Sequence, residues 1–274
     1  MKPHEQGIFN QIGKTLASPL SQLVVNATTE DLARLFEAYW CILLGKGAGS
    51  GWALNTEINA AKSVIKNSSP IIFDVGANIG EWSLLLHKIF PESQIFLFEP
   101  QPACQQIIVD KNIPNSELIP KAVSSTSGVV QLYTSAENSE IASIHQRQDS
   151  YFEQNIFTPM EVETITLDSV IENHGLACID FLKMDIEGHE LDALKGATKS
   201  LEARRIKALS FEFGSGNINS RTFFRDFWDL LHPLNYQIYR ILPSSRLMPI
   251  KEYYEDCEYF RGVTNYIAVL DETA

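Results

Sequence analysis

The sequence predicts a doubly wound α/β fold, a mostly parallel sheet covered by helices on both faces. Three observations predict it. Buried apolar runs alternate with amphipathic helical segments from Pro70 onward. A glycine-bearing turn joins the first strand to the first helix, and acidic residues end several strands. The chain has 274 residues, 45% hydrophobic and 20% charged. That length suits one large domain with an attached smaller unit.

The first 69 residues carry no strong strand signal and are expected to form a helical cap, with the main domain over 70–274. Thr28-Thr29-Glu30-Asp31 reads as a helix start. Leu32, Leu35, Phe36, Tyr39, Trp40 and Leu43 follow at helical spacing. Residues 45–51 (GKGAGSG) break the chain, and 55–65 form a second helix. The first strand is 71–75. The helix 78–90 follows, with Trp82, Leu85, Leu86, Ile89 and Phe90 on one face and Pro91 as its stop. Strand 95–99, helix 102–111 and strand 117–123 complete the first half. A hairpin pairs 129–134 with 162–167 around a polar and aromatic loop, 135–160. Then come helix 168–174, strand 179–184, helix 191–202, strand 206–213, helix 220–231 and two final strands, 236–242 and 266–270.

Charge and cysteine usage narrow the function. The net charge is −12, which argues against nonspecific binding to nucleic acid and against anionic lipid. Cys41, Cys104, Cys178 and Cys257 are scattered without CxxC or metal spacing, so free thiols in a reducing compartment are expected. The opening MKPHEQGIFNQIGK has no apolar core of a secretory signal, and the longest apolar stretch, 39–44, is too short to span a bilayer. A cytoplasmic protein is expected.

Ligands of such sheets bind beyond the carboxyl ends of the strands. Three motifs fall there. In Phe73-Asp74-Val75-Gly76-Ala77-Asn78-Ile79-Gly80 the spacing is GxxxG, not the dinucleotide GxGxxG. Asp74 stands where that fingerprint carries an apolar residue. A carboxylate there repels a pyrophosphate and attracts a cation, which favours S-adenosylmethionine over a nicotinamide dinucleotide. Glu99, before Pro100, ends the second strand where a carboxylate can accept both ribose hydroxyls. In Lys183-Met184-Asp185-Ile186-Glu187-Gly188-His189-Glu190 the strand period puts Lys183 and Asp185 on one side. Glu212 ends the neighbouring strand and is placed to approach Asp185.

The order FDVGANIGEWS, FEP, ITLDSV, IDFLKMDIEGHELDALKGA, a strand ending in Glu, then NYIAVL resembles the FkbM family of S-adenosylmethionine-dependent methyltransferases over about residues 70–271. The cap and the loop 135–160 lie outside it. The resemblance implies a Rossmann-like sheet of seven strands in the order 3-2-1-4-5-7-6 with the last antiparallel. It also implies O-methylation of a small molecule, a natural product or a sugar. Carried onto this sequence, Asp74, Gly76, Ala77, Asn78 and Gly80 would hold the amino-acid part of the cofactor. Glu99 would hold the ribose, Ala122 and Val123 would flank the adenine, and Asp185 would lie beside the methionine end.

An alcohol is a weak nucleophile, so a base is expected. The candidates are Asp185, Glu187 and His189, with His145 below them and Lys183 orienting a carboxylate or an oxyanion. Asp185, Glu187 and Glu212 holding a hard divalent cation is the less favoured alternative, since no metal signature supports it. Acceptor contacts are expected from His145, Arg147, Tyr151, Phe152 and Phe157, and from Arg246, Tyr253 and Tyr254. The partner is a small-molecule acceptor, with helix 32–44 either a homodimer face or packed on the sheet. N-methylation and a catalytically silent cofactor-fold module stay open as alternatives.

Overall fold

Short runs of buried apolar side chains set the centre of the sheet, because a strand covered on both faces needs them at every position. The computed structural model describes residues 11, 13–17, 19–21, 26, 29–47, 54–135, 139–147 and 155–272. Thr28, Tyr151 and Phe152 lie outside the described residues. The chain divides into two compact units, Met1–Leu44 and Gly45–Ala274.

In the smaller unit, α1 (Glu30–Leu43) carries the expected apolar spacing. Glu30 and Asp31 occupy its first turn, where negative charge complements the helix dipole. Arg34 reaches back to Glu30 at 2.7 Å.

The larger unit begins with α2 (Leu54–Val64). The sheet strands are β1 (Ile71–Val75), β2 (Gln94–Phe98), β3 (Ser116–Ile119), β7 (Phe181–Met184), β8 (Ala208–Gly214), β9 (Tyr236–Ile241), β10 (Leu247–Pro249) and β11 (Val263–Leu270). Their order is β10-β9-β11-β8-β7-β1-β2-β3. Pairs from β3 to β8 are parallel, and β11 runs antiparallel between β8 and β9. This is the expected seven-strand order with one correction: β10 pairs antiparallel with β9 and makes an eighth, edge strand. Three residues around Pro249 give too short a signal to read from sequence.

Alternate side chains of each strand point to opposite faces. Phe73, Phe96, Leu182 and Phe211 pack on one face with α5 (Leu167–Asn173), α6 (Glu190–Lys195) and α9 (Phe224–Leu231). Ile72, Leu97, Phe181 and Ile267 pack on the other with α2, α3 (Glu81–Ile89) and α4 (Pro102–Lys111).

A separate three-stranded sheet, β4 (Ala122–Val123), β6 (Phe157–Ile165) and β5 (Gly128–Ser135), contains the predicted hairpin. Several element boundaries depart from the sequence reading, β6 and β11 among them starting at Phe157 and Val263 rather than at 162 and 266, and four departures have a local cause. The expected strand 117–123 splits, because Pro120 has no N–H for the ladder. Lys121 N donates back to Ile119 O at 2.8 Å and the chain turns off to pair β4 with β6. The helix expected from residue 78 starts at Glu81, since Asn78 and Gly80 are left-handed. The segment 191–202 is two helices, α6 and α7 (Thr198–Glu202), separated by Gly196. The segment 220–231 contains only α9, preceded by α8 (Ser215–Ser220) and a left-handed Arg221.

Candidate active site

The turn after β1 is held by backbone geometry. Gly76 has φ +77, and a Cβ there would meet Asp185 O at 1.9 Å. Only glycine allows β1 and the chain after β7 to approach so closely. Gly76 N and Ala77 N both donate to Phe98 O, at 3.0 and 3.1 Å. Glu99 completes the join: its Oε2 accepts from Asn78 N and its Oε1 from Gln101 N, both at 2.8 Å. Burial pushes the Glu99 carboxyl up to about 7, with the two backbone N–H bonds opposing.

Asp74 pairs in register with Lys183 across β1 and β7. It is fully buried. Ser83 Oγ donates to its Oδ2 at 2.6 Å, and Lys183 Nζ stands 3.1 Å from its Oδ1. The same ammonium donates to Gly76 O at 2.9 Å and lies 3.6 Å from Asp185 Oδ2. Burial works against the Lys183 charge, but Asp74, Asp185 and Glu57 outweigh it and hold its pKa above the ordinary value. Asp74 therefore lies beneath the glycine turn, neutralised inside the fold.

A cleft of about 760 Å³ opens over the strand tips. Of the residues singled out in the sequence, Gly76, Ala77, Asn78, Glu99, Ala122, Val123, Lys183, Asp185, Glu187 and His189 line it. Asp74 and Gly80 do not: a side chain on Gly80 would point at Ile108, Ile113 and Leu97 under α4. His145, Arg147, Phe157, Arg246, Tyr253 and Tyr254 are not on its wall either. Tyr253 Oη instead donates to Glu258 at 2.8 Å. The aromatic loop supplies apolar wall residues of another kind, Ile141 and Ile144, beside Leu132 of the hairpin.

The turn after β7 is strained and braced. Glu187 has φ +55. Its carboxylate pairs with Arg147, and its carbonyl accepts from Ser143 Oγ at 2.8 Å. Burial lifts its carboxyl to about 8, Arg147 pulling the other way and Asp185 adding to the rise. Glu190 is fully buried, and its Oε1 accepts from Ile186 N at 3.0 Å and Gly188 N at 3.3 Å. His189 touches Ser124 Oγ at 3.0 Å and His145 at 3.1 Å. Burial lowers its pKa to about 4, so its ring is neutral near neutral pH.

Two acids join Asp185 from other elements. Glu212 of β8 is pushed up by burial and by Asp185. Glu57 of α2 accepts from Asn265 Nδ2 at 2.6 Å, and burial with the nearby Asp185 charge lifts it to about 7. The sequence reading missed Glu57. The available signal was a single acid one helical turn before the fully buried Ala60 and Ala61. Asp185, Glu187 and Glu212 present carboxylate oxygens within 4.8 Å of one another.

The strand order, with antiparallel β11 inserted between β8 and β9, and the cleft over β1, β2 and β7 define a Rossmann-like sheet of the methyltransferase class. Residues 74–238 match the methyltransferase FkbM domain. The chain belongs to the FkbM methyltransferase family. It is 28% identical over 157 residues to the methyltransferase sdnD of Sordaria araneosa, covering 47% of this chain and 61% of that protein. It is 27% identical over 155 residues to the 2-O-methyltransferase NoeI of Sinorhizobium fredii, covering 53% and 64%. It is 30% identical over 140 residues to the hexuronic acid methyltransferase AglP of Haloferax volcanii, covering 48% and 52%. The chain thus spans between half and two thirds of the length of these curated relatives.

The family implies use of S-adenosylmethionine, and the residues present suit it. A carboxylate offers about four lone-pair positions. Glu99 spends two on backbone N–H groups, leaving two for a vicinal diol. Four acids, Glu57, Asp185, Glu187 and Glu212, outnumber the Lys183 ammonium and the Arg147 guanidinium beside them, a group of carboxyls that can ionise toward a cation.

Proposed function

We propose that this chain transfers a methyl group from S-adenosylmethionine to a hydroxyl of a small, sugar-like or natural-product acceptor. The observation that carries this reading is the acidic floor of the cleft, where Glu57, Asp185, Glu187 and Glu212 gather beside the glycine turn. When bound, the cofactor supplies an electrophilic methyl group on a sulfonium. Glu99 holds the ribose hydroxyls, and Ala122 and Val123 flank the adenine. The backbone of Gly76, Ala77 and Asn78, with the Asp185 carboxylate, holds the amino-acid end. Asp74, Lys183 and Gly80 act through the turn they brace.

Glu57 and Glu187 are the acids suited to take the acceptor proton, since their carboxyls sit at about 7 and about 8. A base poised near the working pH contributes roughly 10²–10⁴-fold. His189, whose pKa burial lowers to about 4, is the weaker base and ranks behind them. Oxygen as the acceptor atom and a sugar-like acceptor are supported by the names of two relatives, a 2-O-methyltransferase and a hexuronic acid methyltransferase.

The test is mass spectrometry of products from a panel of free and activated sugars, uronic acids and polyketide-type alcohols with S-adenosylmethionine. A mass gain of one methylene on an acceptor oxygen is expected, reduced roughly 10²-fold or more in Glu57→Gln or Glu187→Gln. Calorimetric cofactor binding with no transfer to any hydroxyl of the panel would count against the reading.

A further inference from the structure

Three nitrogen and oxygen ligand atoms converge beside the cleft in a pattern the methyl-transfer reading does not use. His145 Nε2 lies 3.1 Å from His189 Nδ1, and Asp192 Oδ2 lies 3.6 Å from the same nitrogen. Each of the three residues offers one ligand atom within 4.8 Å of those of the other two. A tetrahedral zinc ion with bonds of about 2.0–2.1 Å holds its ligand atoms roughly 3.3 Å apart. Two of the distances bracket that value. Two imidazoles and a carboxylate are also the donor types of open, three-ligand zinc sites.

The groups around the triad orient it. Ser124 Oγ sits 3.0 Å from His189 Nε2, the nitrogen turned away from the cluster. If Nε2–H donates there, the Nδ1 lone pair faces His145 and Asp192. A metal-bound imidazole is steered in that way by a partner on its far nitrogen. Lys195 Nζ takes Asp192 Oδ1 at 3.1 Å and leaves Oδ2 toward the histidines. His145 is fixed as well: its N–H donates to Ser143 Oγ at 3.1 Å, and Ser143 exchanges two backbone bonds with Tyr133, at 2.8 and 3.1 Å. Without a cation, the two rings share one proton in a hydrogen bond between His145 Nε2 and His189 Nδ1, at 3.1 Å, and a bound ion takes that proton's place.

We propose that His145, His189 and Asp192 bind one divalent transition-metal ion, zinc by preference. The site is distinct from the Asp185, Glu187 and Glu212 carboxylates, where Lys183 already stands 3.6 Å from Asp185. The ion fastens the segment 139–147, which gives Ser139, Ile141 and Ile144 to the cleft wall, to the turn that carries Asp185 and Glu187. Its role is to hold that wall in place.

The test is zinc titration of the full chain after dialysis against a chelator, with cobalt as a spectroscopic probe of the same site. One equivalent of zinc is expected, with tetrahedral cobalt absorption and a raised Tm. His145→Asn and Asp192→Asn should abolish the stoichiometric binding, and Ser124→Ala should weaken it roughly 10–100-fold. Asp185→Asn should leave zinc affinity unchanged. Anomalous scattering from zinc-grown crystals of the wild type locates the ion without any variant. No stoichiometric uptake, uptake indifferent to both ligand substitutions, or an anomalous peak on Asp185, Glu187 and Glu212 would each overturn the proposal.

Discussion

Lys183 shows how much one side chain can decide in this fold. Its ammonium is buried and shared by Asp74, Gly76 O and Asp185. Taking away one member of a buried pair leaves a stranded charge and costs about 3–5 kcal/mol. Lys183→Met is therefore expected to lower unfolding stability by about that amount in urea titrations. Lys183→Met with Asp74→Leu should recover much of it, since the buried partner goes with the ammonium and only the solvent-accessible Asp185 loses a neighbour. A single substitution that costs under about 1 kcal/mol would show that the pair does not hold the turn. The sequence displayed both residues at strand ends and prompted a cofactor role for Asp74. What it did not display is the register that sets Asp74 against Lys183. Register is a property of two strands distant in sequence, and one-residue slips exchange faces. Glu57 was hidden for the same reason: nothing local says that its helix packs against β9 and β11 and brings Glu57 to Asn265.

Elements were legible where one physical cause dominated. The runs around Phe73, Phe96 and Leu182 are apolar at nearly every position because both faces are covered, and they read as strands at sight. Boundaries failed where a single residue overrode a pattern. Pro120 stopped a strand, and left-handed Asn78 and Gly80 delayed α3. The β1–α3 turn makes this concrete. Gly76→Ala forces a side chain into φ +77 and against Asp185 O at 1.9 Å. Left-handed strain alone costs roughly 1–3 kcal/mol, and the overlap adds to it. A loss above about 2 kcal/mol in stability and the disappearance of calorimetric cofactor binding are expected. An alanine variant with wild-type stability and affinity would mean that the turn has another way to form.

For the molecule as a whole, the net charge of −12 is not spread evenly in its effect, because several acids are buried at the cleft. The order of motifs made the family and the sheet readable, yet the charge balance said nothing of this crowding. Burial lifts Glu57 and Glu99 to about 7, so the folded chain keeps protons that the unfolded chain releases near 4.5. Their contribution to stability is complete below about 4.5 and is lost as pH rises through about 7. The urea midpoint should fall between pH 5.5 and pH 8. Glu57→Gln, a neutral mimic of the protonated acid, should shrink that fall. A variant whose midpoint moves with pH as much as the wild type would contradict the assignment.

The three-stranded sheet shares no strand with the large one, although Leu132 and Ala122 stand on the cleft wall. Its pairing is satisfied by its own three members, so it behaves as a detachable panel bolted beside a fixed chassis. Length and side chains of the panel can change without unfastening any rung of the parallel ladder. On the proposed function, the β5–β6 hairpin that carries Leu132 can thus be retooled for another acceptor while β4, with Ala122 and Val123, stays with the donor.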